Sequence, residues 1–237
     1  MLSNTARILA RTIRLYIPIP VSSHADIDYV TVGNTMNHPG RPRKRNIEHD
    51  ILQAVAELTV EKGYGRITVD QVVARAGTNK PAFYRRFRGL ADVVPRLLAS
   101  RYGTDEDIDT GALVSDLVEV QRRQRRLFTD PVVTRGLAGW LAELDADPDG
   151  GAWFKEGYLG PRRAYTRRIL DRAIARGEIV ADTDSGWIAD LLTGPLIMHV
   201  VLPGLPPVDD ALIAQTIHAS LDVLGYRADR SAVIDAG

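Results

Sequence analysis

The 237-residue chain contains no cysteine. That excludes disulfides, thiolate metal sites and cysteine nucleophiles, and it fits a reducing, cytosolic setting. No run of about 18 uninterrupted apolar residues exists, so no membrane span is indicated. The histidines His24, His38, His49, His199 and His218 show no metal-ligand spacing. No phosphate loop, nucleophile elbow or dinucleotide fingerprint is present. The carboxylates Asp105, Glu106, Asp107 and Asp109 read as a solvated run rather than a catalytic set. Strand signals are sparse and no repeat or low-complexity tract appears. These absences leave catalysis, a cofactor and a metal without support in the residues.

What is present points elsewhere. An apolar fraction of 45% suffices for the core of one or two domains. The net charge of zero hides an asymmetry. Residues 37–103 hold 13 basic and 6 acidic side chains, a balance of +7, whereas residues 104–237 hold 14 and 22, a balance of −8. A basic segment joined to an acidic one suits a DNA-contacting domain followed by a partner domain; chance segregation of surface charge is the plainer alternative.

Residues 1–36 read as a poorly ordered extension. Arg7, Arg11 and Arg14 interrupt its apolar residues and Pro18 and Pro20 break any helix, which argues against a signal peptide. Met36 stands just before a basic arm and could be the true start. That arm, residues 37–45, runs through Arg41, Arg43, Lys44 and Arg45. It could enter a minor groove or lie along phosphates, or it could be a solvated tail.

From Asn46 the pattern is helical almost throughout. Asn46 caps a helix with Ile47, Ile51, Val55 and Leu58 on one face, closed by Gly63. Thr68 and Gln71 have capping-box spacing for a second helix. A third covers about 80–87, and a fourth starts near Leu90. Five more are expected over about 110–128, 131–145, 150–177, 184–202 and 209–225, with Gly177 as a C-cap and a kink at Gly194-Pro195. The chain is therefore all-α, with about nine helices.

The stretch Thr68 to Phe87, TVDQVVARAGTNKPAFYRRF, carries the most information. Gly77 can take positive φ where the chain reverses. Asn79 can cap the next helix, with Pro81 in its first turn. Phe83 and Phe87 share a face and anchor that helix, leaving Lys80, Ala82, Tyr84 and Arg85 or Arg86 to face away. Such a face can approach base edges and bind phosphates. The competing reading is a solvated, cationic helix end.

These residues resemble the tetracycline-repressor-like (TetR) family of bacterial regulators. The match covers ILQAVAELTVEKGYGRITVDQVVARAG, KPAFYRRF and the helix beginning GLADVV. Departures from the family pattern fall at Val73, Thr78-Asn79, Pro81 and Gly89-Leu90, where DNA preference is set. The resemblance implies that Lys80, Pro81, Ala82, Tyr84, Arg85 and Arg86 meet DNA, that Thr68 holds a phosphate, and that Thr78 and Asn79 lie at the same surface. More diffuse likeness in RRLFTDPVVTRGLAGWLAELDADPD, GPRRAYTRRILDRAIARGEI and DLLTGPLIMHVVLPGLP implies a helical regulatory domain over 104–237, after a DNA-binding domain over 46–103.

That domain would dimerise through the helices near 184–202 and 209–225. Their apolar stripes are Trp187, Ile188, Leu191, Leu192 and Leu196, then Leu212, Ile213, Ile217, Leu221 and Leu224; packing within one subunit is the alternative. Family members usually bind a small-molecule effector, for which Trp140, Phe154, Tyr158, Tyr165, Met198 and His199 are the candidates, although each such residue is more often plain core. The function implied is a ligand-responsive repressor binding a palindromic operator as a dimer. A helical interaction protein without operator binding, or an enzyme, are the alternatives.

Overall fold

The computed structural model describes residues 46–103, 108–147, 152, 154–180 and 184–236. The extension 1–36, the arm with Arg41, Arg43, Lys44 and Arg45, the acidic residues 105–107 and the side chain of Tyr158 lie outside the described residues. Among the described residues there are nine α-helices and no strand.

Local chemistry sets the first four helices. In α1 (Ile47–Lys62) the Asn46 side chain accepts from the His49 N–H, and Gly63 ends the helix at φ +80°. A 3₁₀ turn over Tyr64–Arg66 leads to α2 (Val69–Arg75), whose capping box pairs Thr68 with Gln71 in both directions. Helix α3 (Lys80–Tyr84) is capped by Asn79, and α4 is Leu90–Tyr102. Helix α3 is shorter than its sequence pattern suggests. After Tyr84 the chain tightens, with the Arg86 N–H reaching only as far as the Phe83 carbonyl. Phe83 and Phe87 are both buried and lie 5.5 Å apart, ring to ring.

Pro95 sits inside α4. Proline has no N–H, so the carbonyl of Ala91, four residues earlier, loses its helical partner. The indole N–H of Trp140 fills that position, donating to the Ala91 carbonyl at 3.2 Å.

Helices α5 (Leu113–Thr129) and α6 (Pro131–Ala146) meet at Asp130, which ends one and caps the other. The expected start of α5 near residue 110 falls instead at Leu113. The fully buried Asp116 carboxylate accepts from the backbone and hydroxyl of Thr110, holding the entering chain extended. Helix α6 lies against α1 and the 3₁₀ turn. A Cβ on Gly136 would stand 2.9 Å from Thr59 Cγ2, and one on Gly139 3.1 Å from the Gly65 nitrogen, so these glycines permit the approach. Tyr64 donates to Glu143 at 2.6 Å across the same seam.

The expected helix over 150–177 appears in two registers. Residues Lys155–Leu159 form a π turn and α7 covers Gly160–Ala175. Pro161 cannot donate to a carbonyl four residues back, and the Gly160 N–H reaches five back to Lys155 instead. Gly177 closes α7 as expected, at φ +75° with the Glu178 N–H on the Ala173 carbonyl.

Helices α8 (Ser185–Val201) and α9 (Asp210–Val223) are capped by Asp184 and Asp209; α8 continues through Gly194 and Pro195. Ile188, Leu192, Leu196, Ile213, Ile217, Leu221 and Leu224, read from sequence as a dimer stripe, are buried within the subunit. The outward side of the two helices carries Trp187, Met198, Leu202 and Val223, each close to half exposed. After Gly225 the chain packs back, burying Tyr226 and Val233.

Candidate nucleic-acid interface and effector cavity

The turn into α3 has the chemistry anticipated from sequence. Gly77 adopts φ +60°, the Thr78 N–H bonds the Val73 carbonyl at 2.8 Å, and Asn79 Oδ1 accepts from the Ala82 N–H at 2.9 Å. Helical periodicity then divides the residues. Ala82, Phe83, Arg86 and Phe87 follow the inward spacing, whereas Lys80, Pro81, Tyr84 and Arg85 follow the outward one.

Lys80, Pro81, Tyr84 and Arg85 are exposed, Tyr84 at 54%. Thr68 and Asn79 are exposed and Thr78 half-buried beside them. Ala82 is a correction to the outward set: it is only 7% exposed. Arg86 is likewise half-buried, and its guanidinium donates to the Ala82 carbonyl at 2.9 Å. Its charge sits at the end of α3, where carbonyls lack helical partners.

Several other cations of the basic segment are tied to the protein. Arg75 bridges Glu57 and Glu61 at 3.1 and 2.8 Å, clamping α2 to α1. Hydrogen bonds from Gln53 and then Arg75 hold the Glu57 carboxyl below its ordinary range; Arg75 does the same for Glu61. Arg96 pairs with Glu48 and lies 4.9 Å over the Phe87 ring. Lys80 meets Asp70 at 2.8 Å, which raises its pKa, but both side chains stay largely exposed. That exposed pair is weak enough to be exchanged for a phosphate.

A cavity of about 390 Å³ opens among α4, α5, α6, α7 and α8. Of the sequence candidates it brings together Trp140, Phe154 and Tyr165. Trp140 and Phe154 meet edge to face, centroids 5.2 Å apart. Met198 and His199 do not line it. Met198 is 53% exposed, and His199 Nδ1 lies 2.8 Å from the Pro206 carbonyl. Ile197, one residue earlier and about 100° round the helix, is the α8 residue that reaches the cavity. Sequence reasoning missed Gln124, Phe128, Leu137 and Thr193. The spacing of Val120, Gln124, Leu127 and Phe128 marks one face of α5, and a glutamine in such a face was the available signal.

The cavity's polar end is closed by Arg163, which holds both oxygens of Asp190 at 2.5 and 3.2 Å and the Gly186 carbonyl at 3.1 Å. Among the described residues no cluster of His, Asp and Glu could hold a metal, and no helix is long and apolar enough to cross a membrane.

Residues 51–97 match the family described as bacterial regulatory proteins, tetR family, and residues 107–219 match the tetracyclin repressor-like C-terminal domain. An uncharacterized HTH-type transcriptional regulator of Mycobacterium bovis is 32% identical over 189 residues, covering 77% of this chain and 90% of that protein. The chain belongs to the TetR family. It is a DNA-binding transcriptional regulator built on the helix-turn-helix of α2 and α3.

Other TetR-family relatives agree. The DNA-binding transcriptional repressor TetR of Mycobacteroides abscessus is 28% identical over 178 residues, covering 73% of this chain and 91% of that one. A solved TetR family transcription regulator, SCO0332, superimposes with a TM-score of 0.58 at 25% identity, covering 75% of this chain and 97% of the other. Within this TetR-family chain, Trp140 occupies a particular place. One side of it walls the large cavity, and Leu98, Val133, Leu137 and Trp140 also line a void of about 20 Å³ against α1. Its N–H is the bond to Ala91, four residues after Phe87.

Proposed function

We propose that this regulator is a ligand-responsive repressor that binds a palindromic operator as a homodimer. Lys80, Pro81, Tyr84 and Arg85 read the major groove, with Thr68, Thr78 and Asn79 along the flanking phosphates. Residues 46–103 form the DNA-binding domain, residues 37–45 add a basic arm to it, and residues 104–237 form the regulatory and dimerising domain. The protein works on the nucleoid in the cytoplasm.

Dimerisation uses the outward faces of α8 and α9, where Trp187, Met198, Leu202 and Val223 leave apolar surface exposed. A dimer places its two recognition helices about 34–36 Å apart, one turn of DNA. The cavity takes a small-molecule effector. The observation that carries this reading is the Trp140 bond to Ala91, because one side chain both walls the cavity and supports the start of α4. A ligand that displaces Trp140 acts directly on the helix following the reading head. It then favours dimers whose spacing no longer fits DNA.

The test starts from the bound sites. Fragments recovered from the host genome with the full chain are titrated with purified protein across salt concentrations. Palindromic fragments bound by two protomers, with affinity falling as salt rises, support the reading. A chain that ignores DNA at both low and moderate salt overturns it.

A further inference from the structure

The geometry points to a neutral hydroxylated aromatic molecule as the ligand of the cavity, its hydroxyl donating to Gln124 Oε1. This deepens, and rests on, the reading of the cavity as an effector site.

Three observations converge. First, Gln124 projects from α5 into the cavity wall with its amide fixed: Nε2 donates to Thr193 Oγ1 at 3.2 Å. Its Oε1 is buried and accepts no hydrogen bond from the described residues. A buried acceptor of this kind favours whatever brings it a donor, because leaving it unmatched forfeits hydrogen-bond energy. A ligand with an ether or a methyl group at that point would leave it unmatched.

Second, the charges at the polar end are already spent. Arg163 is held by both Asp190 oxygens and the Gly186 carbonyl, and Arg162 is engaged as well. An anionic ligand would have to displace Asp190 from Arg163 or be buried beside that carboxylate. Either route costs more than a neutral group does.

Third, the remaining wall is apolar and aromatic. Phe128, Trp140, Phe154 and Tyr165 line one volume, with Trp140 and Phe154 set 85° to each other. A flat ring can lie against one of these faces and meet the edge of another, the arrangement aromatic pairs prefer. The volume of about 390 Å³ lies in the range that holds a small organic molecule.

The experiment compares three bicyclic probes of similar size by calorimetry on the full chain: 1-naphthol, 1-methoxynaphthalene and 1-naphthoate. 1-Naphthol is expected to bind about tenfold more tightly than its methyl ether, the value of one hydrogen bond to a buried acceptor. 1-Naphthoate is expected to bind most weakly. In Gln124→Leu the preference for the naphthol over the ether disappears. The comparison in the unaltered chain decides the matter even if that variant fails to fold. Equal affinity for naphthol and ether, tightest binding of naphthoate, or binding of none of the three overturns the assignment. Tight, Gln124-dependent binding of 1-naphthol that leaves DNA affinity unchanged upholds the ligand class and sinks the effector reading instead.

Discussion

Trp140→Phe tests the link between cavity and reading head. The substitution keeps an aromatic ring against Phe154 but removes the N–H that occupies the Ala91 carbonyl. That carbonyl cannot fall back on its own helix, because the residue four positions on is Pro95. The Ala91 carbonyl is only part-buried, so the cost is that of one hydrogen bond lost at a partly shielded acceptor, about 1 kcal/mol. For a chain of this length each kcal/mol lowers the melting temperature by about 2–4 °C. Pro95→Ala supplies the missing backbone N–H and changes the answer. In a Pro95→Ala background, Trp140→Phe is expected to cost less by about 1 kcal/mol, since Ala91 now has a helical partner. Thermal and denaturant unfolding of the four proteins gives the cycle. Operator affinity, measured with and without ligand, gives the functional half. Both single variants are expected to shrink the ligand's effect on DNA binding. An equal cost of Trp140→Phe in both backgrounds would refute the proline argument. An unchanged ligand response would refute the coupling.

The remaining tests address the interface and the frame that holds it. Lys80→Ala and Tyr84→Ala are expected to abolish operator binding while circular dichroism and dimer mass stay unchanged. Arg85→Ala and Arg86→Ala should part company: the first lowers DNA affinity and reduces the salt slope by about one, the second mainly lowers the melting temperature because Arg86 holds the Ala82 carbonyl. Asp116→Ala removes the fully buried acceptor of the Thr110 N–H and hydroxyl, and its expected cost in urea unfolding is about 1–3 kcal/mol. Glu57 and Glu61 have lowered pKa values in the folded chain. Their stabilising share is therefore complete above the ordinary carboxylate range and lost as pH falls through the lowered values. Acid titration of Arg75→Met should lack the Glu61 share and part of the Glu57 share, the remainder of which rests on Gln53; an acid profile identical to the parent's would refute the clamp.

Much of the DNA-binding domain was legible because its signals are local. The Asn46, Thr68 and Asn79 caps each act within three residues, and Gly63 and Gly77 adopt the positive φ their positions demanded. Ala82 was misread for want of one rotation of the helix: its small size suggested a DNA-facing site, but the spacing shared with Phe83 and Arg86 turns it inward. The stripe on α8 and α9 left two readings open, dimer face and subunit core, and its buried residues take the second. Apolar residues around most of a helix identify burial but not which neighbour buries them. Met198 and His199 do not line the cavity because of rotation, as with Ala82: adjacent residues on a helix point about 100° apart, and Ile197 is the one that reaches it.

By itself the sequence determined the helices, their caps, the turn at Gly77 and the family, since each depends on residues close together in the chain or on a motif of fixed spacing. Tertiary structure alone decided which cations are tied down within the protein, because Arg75, Arg86 and Arg96 find partners that sequence spacing does not reveal. It also decided that Trp140 meets Ala91 across 49 residues and that Gln124 opens onto a cavity. Such contacts depend on how helices pack, and packing is set by the whole chain at once.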